Sequence, residues 1–116
     1  MEITYEEFKK MDLRIGKIIE VEDHPNADKL YIVKVNLGGE ERKLVAGIKP
    51  WYTKEELIGK NVVVLTNLQP KTIRGIESKG MILASLSGSS LSILTVDKEI
   101  TPGSPVSWNI KILCNV

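Results

Sequence analysis

Cysteine and histidine each occur once, as Cys114 and His24. A lone cysteine forms no internal disulfide, and with no secretory n-region or apolar h-region in "MEITYEEFKKMD" a cytoplasmic location is expected. The two residues stand 90 positions apart, and no H-x-x-E or C-x-x-C spacing is present. No metal-ligand set follows from them, and neither a metal nor another cofactor is expected. A Cys–His nucleophile pair needs hydrogen-bond contact and a third, orienting group. His24 instead precedes a proline in turn chemistry, and Cys114 lies near the end of the sequence. There is no Walker loop and no G-x-G-x-x-G, and "LVAGIKPW" holds a single glycine. The acids fall mainly in helical or turn contexts, where capping and solvation account for them. No enzyme is expected. No apolar run approaches the length of a membrane span. Charge of one sign is also scarce: the net charge is +1, divided as −1 over residues 1–60 and +2 over residues 61–116. Any anion site must therefore be a local patch.

What is present is an ordinary soluble composition, 42% hydrophobic and 27% charged, in 116 residues. That length suits one domain with a single core. Thr4 ahead of Glu7 is a capping box for a short N-terminal helix with Phe8 and Met11 at helical spacing. "LRIGKIIEVEDHP" reads as a strand, with Gly16 as a bulge or a close approach. "HPNADK" is turn chemistry. "KLYIVKVNL" alternates, and "GGEE" closes a hairpin into "RKLVAGI". Thr53 caps a helical turn in "TKEELIGK", with Glu55 and Glu56 in its first turn. "NVVVLTNL" is the most apolar strand, and "GMILASLS" follows a long loop. "GSS" turns into "LSILTVD", and "VSWNIKILC" can form one last strand, with Val106, Trp108, Ile110 and Ile112 at period two.

Short strands, turns every 8–12 residues and only two helical segments favour a small barrel or sandwich. A helical turn between the third and fourth strands suits an OB-fold barrel. The expected class is all-β: a five-stranded OB-fold barrel with short helical elements and a C-terminal strand extension. Its core strands are expected at 13–22, 29–37, 42–48, 61–67 and 80–86. One domain over 1–116 results, with the barrel core at 12–86 and the extension at 87–116.

The loop "NLQPKTIRGIESKGM", Asn67 to Met81, is far longer than a connection of about 2–5 residues needs to be. It carries Lys71, Arg74, Lys79 and Glu77 among glycines and a proline. OB barrels bind nucleic acids across their second and third strands and flanking loops. Lys29 and Lys34 on the second strand, Arg42 and Lys43 on the third, and the loop cations can form one basic rim. Asn67 and Ser78 offer uncharged hydrogen bonds, Met81 a soft apolar contact, and Gly75 and Gly80 a close backbone approach. Each has a plain alternative: solvated lysines, a turn-making Asn67, a core Met81, a Ser78 bonded to its own backbone. Trp51 and Tyr52 can stack on bases or pack on the barrel, and Arg14 can form an ion pair.

The stretches "DLRIGKIIEVEDHPNADKLYIVKVNLGG", "LVAGI" and "NLQPKTIRGIESKGMILAS" resemble the tRNA-binding domain family, from Asp12 to about Pro105. That family includes stand-alone dimeric tRNA-binding proteins and domains fused to, or supplied as small beta subunits of, methionyl-tRNA synthetases. EMAP II-like domains and the export chaperone CsaA are further relatives. The resemblance implies an OB fold, a homodimer and tRNA recognised by shape. Its Asn-x-x-x-Lys and S-x-G-M elements place Asn67, Lys71, Ser78, Gly80 and Met81 at a tRNA-facing pocket, with Arg74 in the same loop and Lys29 in "NADKL". Arg42 and Lys43 complete the expected tRNA-binding set. The expected role is a trans-acting subunit that raises the tRNA affinity of a methionyl-tRNA synthetase catalytic subunit. The alternative is a CsaA-like peptide-binding chaperone. The chain has few arginines and no long basic extension, unlike some relatives.

Overall fold

The structure, a computed structural model, describes residues 1–108. Alternation builds the first hairpin. β1 (Leu13–Asp23) and β2 (Tyr31–Asn36) pair antiparallel, and β2 buries every second residue: Tyr31, Val33 and Val35. The turn at Gly38 and Gly39, both at positive φ, leads into β3 (Glu41–Ala46), which sends Leu44 and Ala46 into the core. Gly16 is a close approach. A Cβ there would sit 3.1 Å from Leu37 Cδ2 and 3.2 Å from Val64 Cγ2. The β1 bulge lies further on, between Ile18 and Glu20.

Two four-residue helices frame the barrel, and each begins with a reciprocal capping box. In α1 (Tyr5–Phe8) the Glu7 N–H donates to Thr4 Oγ1 at 3.1 Å, and the Thr4 N–H donates to Glu7 Oε1 at 3.1 Å. In α2 (Lys54–Leu57), Thr53 and Glu56 do the same at 2.8 and 3.2 Å. The α2 residue Leu57 is fully buried and joins Ile18, Val33, Val35, Leu37, Leu44, Val62 and Val64 in the core. β4 (Asn61–Leu65) is buried at every position.

Beyond β4 the chain departs from the expected strands. The long loop contains a hairpin, β5 (Lys71–Ile73) and β6 (Ile76–Ser78). The run expected as one strand over 80–86 divides. β7 (Met81–Ile82) pairs with β4, while β8 (Ala84–Ser87) turns away to pair with β9 (Ser90–Ile93). The break falls at Leu83, whose N–H donates to Val63 O at 3.0 Å while its carbonyl accepts from Leu94 N at 3.1 Å. The main sheet runs β3-β2-β1-β4-β7. Its ends approach through three bonds: Lys79 N–H to Lys43 O at 3.2 Å, Val45 N–H to Ser78 Oγ at 2.9 Å, and Arg42 Nη1 to Lys79 O at 3.3 Å. The result is a five-stranded, nearly closed antiparallel barrel of the all-β OB class.

Residues 103–106 run beside the start of β1, where β2 no longer reaches. Ile15 N–H donates to Ser104 O at 2.9 Å and Val106 N–H to Leu13 O at 2.8 Å, and Arg14 bridges Pro105. Gly38 and Gly103 face one another in this dock. A Cβ on either would collide with a carbonyl oxygen of the opposing segment. Of the strand expected from Val106 to Cys114, residues 106–108 are not in a strand, and the remainder lies outside the described residues. Trp108 meets the Tyr5 ring edge-on at 5.7 Å.

A polar clip holds the N-terminal segment to the end of β4. The Asp12 carbonyl accepts from Thr66 N at 2.9 Å and Thr66 Oγ1 at 2.9 Å, and its carboxylate takes Arg14 Nε and Nη2 at 3.0 Å each. The bond from Arg14 holds the Asp12 carboxyl below the usual 3.8, against a smaller opposing effect of burial. Lys49 and Lys54 lower that of Asp23 in the same way. A depressed folded value contributes stability that is complete above the ordinary carboxylate range and is lost as pH falls through the folded value. Unfolding free energy from denaturant titration is therefore predicted to fall as pH drops below about 4. Asp12→Asn is expected to fall less steeply over that window. An unchanged slope would remove this ion pair from the acid response.

Candidate nucleic-acid interface

The β5–β6 hairpin creates the candidate site. Its turn is Arg74–Gly75, with φ of 52° and 90°. This is the mirror-image two-residue turn that suits the twist of a hairpin. Arg74 is the one non-glycine residue at positive φ among the described residues. A bulky side chain there is held against a local preference of about 1 kcal/mol or more.

The "HPNA" turn does the holding. His24 is 5% exposed. Its Nδ1 accepts from Asn26 N at 3.0 Å, which leaves Nε2 to carry the proton and donate to Ile73 O at 3.0 Å. Asn26 Nδ2 donates to Arg74 O at 3.2 Å. Two consecutive carbonyls of the hairpin turn are thus latched to a segment 48 or 49 residues away.

Two clefts flank the hairpin and share Ile73 as a wall. The first is lined by Val45, Leu68, Gln69, Lys71, Ile73, Ser78, Gly80 and Met81. The second is lined by Ala27, Asp28, Lys29, Leu30, Ile73 and Arg74. Four of the expected residues (Lys71, Ser78, Gly80 and Met81) meet in the first, and Lys29 and Arg74 in the second. Lys43 is exposed on β3, and its carbonyl takes the Lys79 N–H beside the hairpin.

Asn67 and Arg42 line neither cleft. Asn67 Oδ1 accepts from Asp12 N at 2.9 Å, and its Nδ2 donates to Lys10 O at 2.6 Å, so its amide joins the N-terminal clip. Arg42 Nη1 donates to Thr66 O at 2.6 Å and Lys79 O at 3.3 Å, while its Nε and Nη2 meet Glu40. Ser78, 5% exposed, accepts from Val45 N and donates to Gly80 O at 2.9 Å. Gly80, at φ +145°, lies against the core, where a Cβ would sit 3.1 Å from both Leu44 Cδ2 and Leu65 O. Met81 is 40% exposed at the cleft.

Charge is distributed unevenly. Arg14, Lys17, Lys34, Arg42, Lys49 and Lys54 each pair with a carboxylate at 4.0 Å or less. Lys79 is held loosely by Glu77 at 3.8 Å. Among the described residues seven cationic side chains have no carboxylate at that range (Lys10, Lys29, Lys43, Lys60, Lys71, Arg74 and Lys98), and four of them, Lys29, Lys43, Lys71 and Arg74, border the hairpin. Trp51 and Tyr52 are tied to β8–β9: Trp51 Nε1 donates to Ser89 O at 2.8 Å, and the Tyr52 hydroxyl accepts from Ile93 N at 3.1 Å.

Residues 13–105 match the family model described as "Putative tRNA binding domain". The chain belongs to this tRNA-binding domain family. It is 58% identical over 104 residues to a protein of Pyrococcus furiosus named methionine–tRNA ligase, covering 90% of this chain and 14% of that protein. A protein of the same name from Thermotoga maritima is 53% identical over 105 residues, covering 90% and 17%. The chain thus spans about one-seventh to one-sixth of these relatives. Among solved structures, a MetRS-related protein from Pyrococcus horikoshii superposes with a TM-score of 0.84 at 32% identity, covering 91% of this chain and 99% of the other. A CsaA chaperone protein from Picrophilus torridus gives a TM-score of 0.84 at 34% identity, covering 91% and 100%. The matched domain is a binding domain and not a catalytic one.

His24 and Asn26, expected only as turn chemistry, and Leu68, Gln69 and Ile73, absent from the expected set, also build the site. The latch makes a direct prediction. His24→Ala removes an imidazole that bonds on both sides, each bond being worth about 0.5–1.5 kcal/mol net. Trypsin cleavage after Arg74 tracks local opening when reclosing is fast, so it is predicted to accelerate about tenfold. His24→Gln, which keeps a donor and an acceptor, is expected to recover part of the protection. Equal cleavage of wild type and His24→Ala would show that the latch does not restrain the turn.

Proposed function

We propose that the chain binds tRNA through the hairpin rim and acts as a trans-acting subunit that raises the tRNA affinity of a methionyl-tRNA synthetase. The observation that carries this reading is that four of the seven described cationic side chains without a carboxylate partner, Lys29, Lys43, Lys71 and Arg74, lie around one hairpin on a chain of net charge +1. Unneutralised cations grouped on one rim meet phosphates more strongly than single cations scattered elsewhere or cations already paired with carboxylates. Asn67, Arg42, Ser78 and Gly80 contribute by shaping that rim, and Met81 offers it a soft apolar surface. Family membership and the methionine–tRNA ligase relatives support the choice of tRNA and of synthetase.

A bound module would hold tRNA near the catalytic subunit and raise its effective concentration without touching the chemistry. Two copies would grip one large RNA across a two-fold axis. The exposed Trp108, Met11 and Ile3 supply apolar surface for that pairing. A cytoplasmic site of action follows from the same role. Among the described residues no helix is long and apolar enough to cross a membrane. The CsaA-like reading, in which the rim takes unfolded polypeptide, has its own support in the solved chaperone structures. The higher identity to the ligases favours tRNA.

Lys71→Ala and Arg74→Ala are each predicted to weaken tRNA binding by about 1–3 kcal/mol, similarly across several tRNAs. Each should also make the salt dependence shallower by roughly one phosphate contact. In aminoacylation assays with the methionyl enzyme, adding the chain should lower KM for tRNA with kcat little changed. Unchanged affinity in both variants, with the fold intact, would remove this rim from the site. An identical KM with and without the chain, and no complex by sedimentation, would end the synthetase role and bring the chaperone reading forward.

A further inference from the structure

The cleft between Leu68 and Met81 has a chemistry of its own. Its volume is about 280 Å³, at the lower limit of small-ligand clefts, which run from about 300 to 1,000 Å³. Val45, Leu68, Ile73 and Met81 give it apolar walls, and Leu68 and Met81 are 44% and 40% exposed at its margin. Its polar groups are three side chains. The Ser78 hydroxyl is already committed in both directions, to Val45 N and Gly80 O. Gln69 makes no side-chain hydrogen bond, and Lys71 has no carboxylate partner, among the described residues. The side-chain polar capacity left to a ligand is one neutral amide and one cation.

This combination selects among ligand classes. An apolar peptide side chain would use the walls and leave the amide and the cation idle. An acidic side chain would use Lys71 and leave the walls unfilled. A nucleotide uses all three: a planar ring for the walls, an edge of donors and acceptors for the amide, and a phosphate for the lysine. A carboxamide pairs in two-point fashion with the donor–acceptor edge of adenine. We propose that this cleft receives one unpaired base of a folded RNA, adenine foremost, with Gln69 reading its edge and Lys71 bonding its phosphate. The inference rests on the RNA-binding reading above and extends it from phosphate contact to base selection. Ile73, shared with the Lys29–Arg74 cleft, then separates the base from the neighbouring phosphate site.

The test uses the full chain and three kinds of probe: whole tRNA, the four homopolymeric tetraribonucleotides, and a tetranucleotide backbone lacking bases. Tetra-adenylate is expected to bind about tenfold more tightly than tetra-uridylate, with the abasic backbone weakest. Gln69→Leu changes an exposed side chain without hydrogen bonds, so the fold is not at stake. It should bring adenylate and uridylate within about twofold of each other and leave the salt dependence of tRNA binding as in wild type. Equal binding of the abasic backbone and tetra-adenylate, with tRNA still bound, overturns the base cleft and leaves the RNA-binding function standing. An adenine preference that survives Gln69→Leu overturns the role of Gln69. Failure of both tRNA and oligonucleotides to bind, with an apolar peptide bound instead, overturns the base cleft together with the function it rests on.

Discussion

Between β3 and the segment leading into β7 the barrel is joined by a side chain as much as by backbone. Ser78 accepts the Val45 N–H and donates to the Gly80 carbonyl, both at 2.9 Å, from a position only 5% exposed. Without that hydroxyl the Val45 donor and the Gly80 acceptor would lose their partner, at a desolvation cost of about 1–3 kcal/mol each where water cannot replace it. The adjacent Gly80 is placed by the same closure. Its positive φ and its contact with Leu44 and Leu65 let the chain pass tightly over the core before β7 begins. Met81 and Lys71 reach a common cleft because the serine and glycine have fixed the course of the backbone between them.

The hairpin that stands on this closure is secured at its far end by a different segment. His24 and Asn26 bond the Ile73 and Arg74 carbonyls, so an arginine at positive φ is kept where it lines the second cleft. The rim is therefore restrained at both ends, by the barrel below and the "HPNA" turn beside it. Restraint of this kind lowers the entropy lost when a ligand is bound. It also suits a protein of low net charge, in which affinity must come from a few well-placed cations and not from a broad field. Arg42 and Asn67 serve that restraint from within the protein, by tying Thr66, Lys79, Lys10 and Asp12 together.

Most of the barrel was legible in the sequence because its signals are local. Alternation in "YIVKVN", two glycines before "EERKLVA", and threonines three residues ahead of glutamates specify β2, β3 and both helix starts. The β5–β6 hairpin was not legible. Its strands are three residues each, and its turn uses arginine where asparagine or glycine is usual. The symmetric "TIRGIE", with apolar residues on either side of a two-residue turn, was the available signal. The division at Leu83 depends on bonds to Val63 and Leu94 that no local pattern announces. The candidate residues share this limit. Residue type and spacing pointed to the loop, but only the fold separates the side chains that line clefts, such as Lys71 and Met81, from those committed to internal bonds, such as Asn67 and Arg42. His24 was read as turn chemistry because its partner, Ile73, lies 49 residues away.

In the proposed function, one rim, built on the Ser78 closure and the His24 latch, meets the RNA. Amide chemical-shift mapping of the ¹⁵N-labelled chain during titration with tRNA tests it most directly. Perturbations are predicted to concentrate at residues 24–30, 43–45 and 68–81, with α2 and the β8–β9 hairpin unaffected. Perturbations centred on α2 and Trp51, with the β5–β6 hairpin silent, would contradict it.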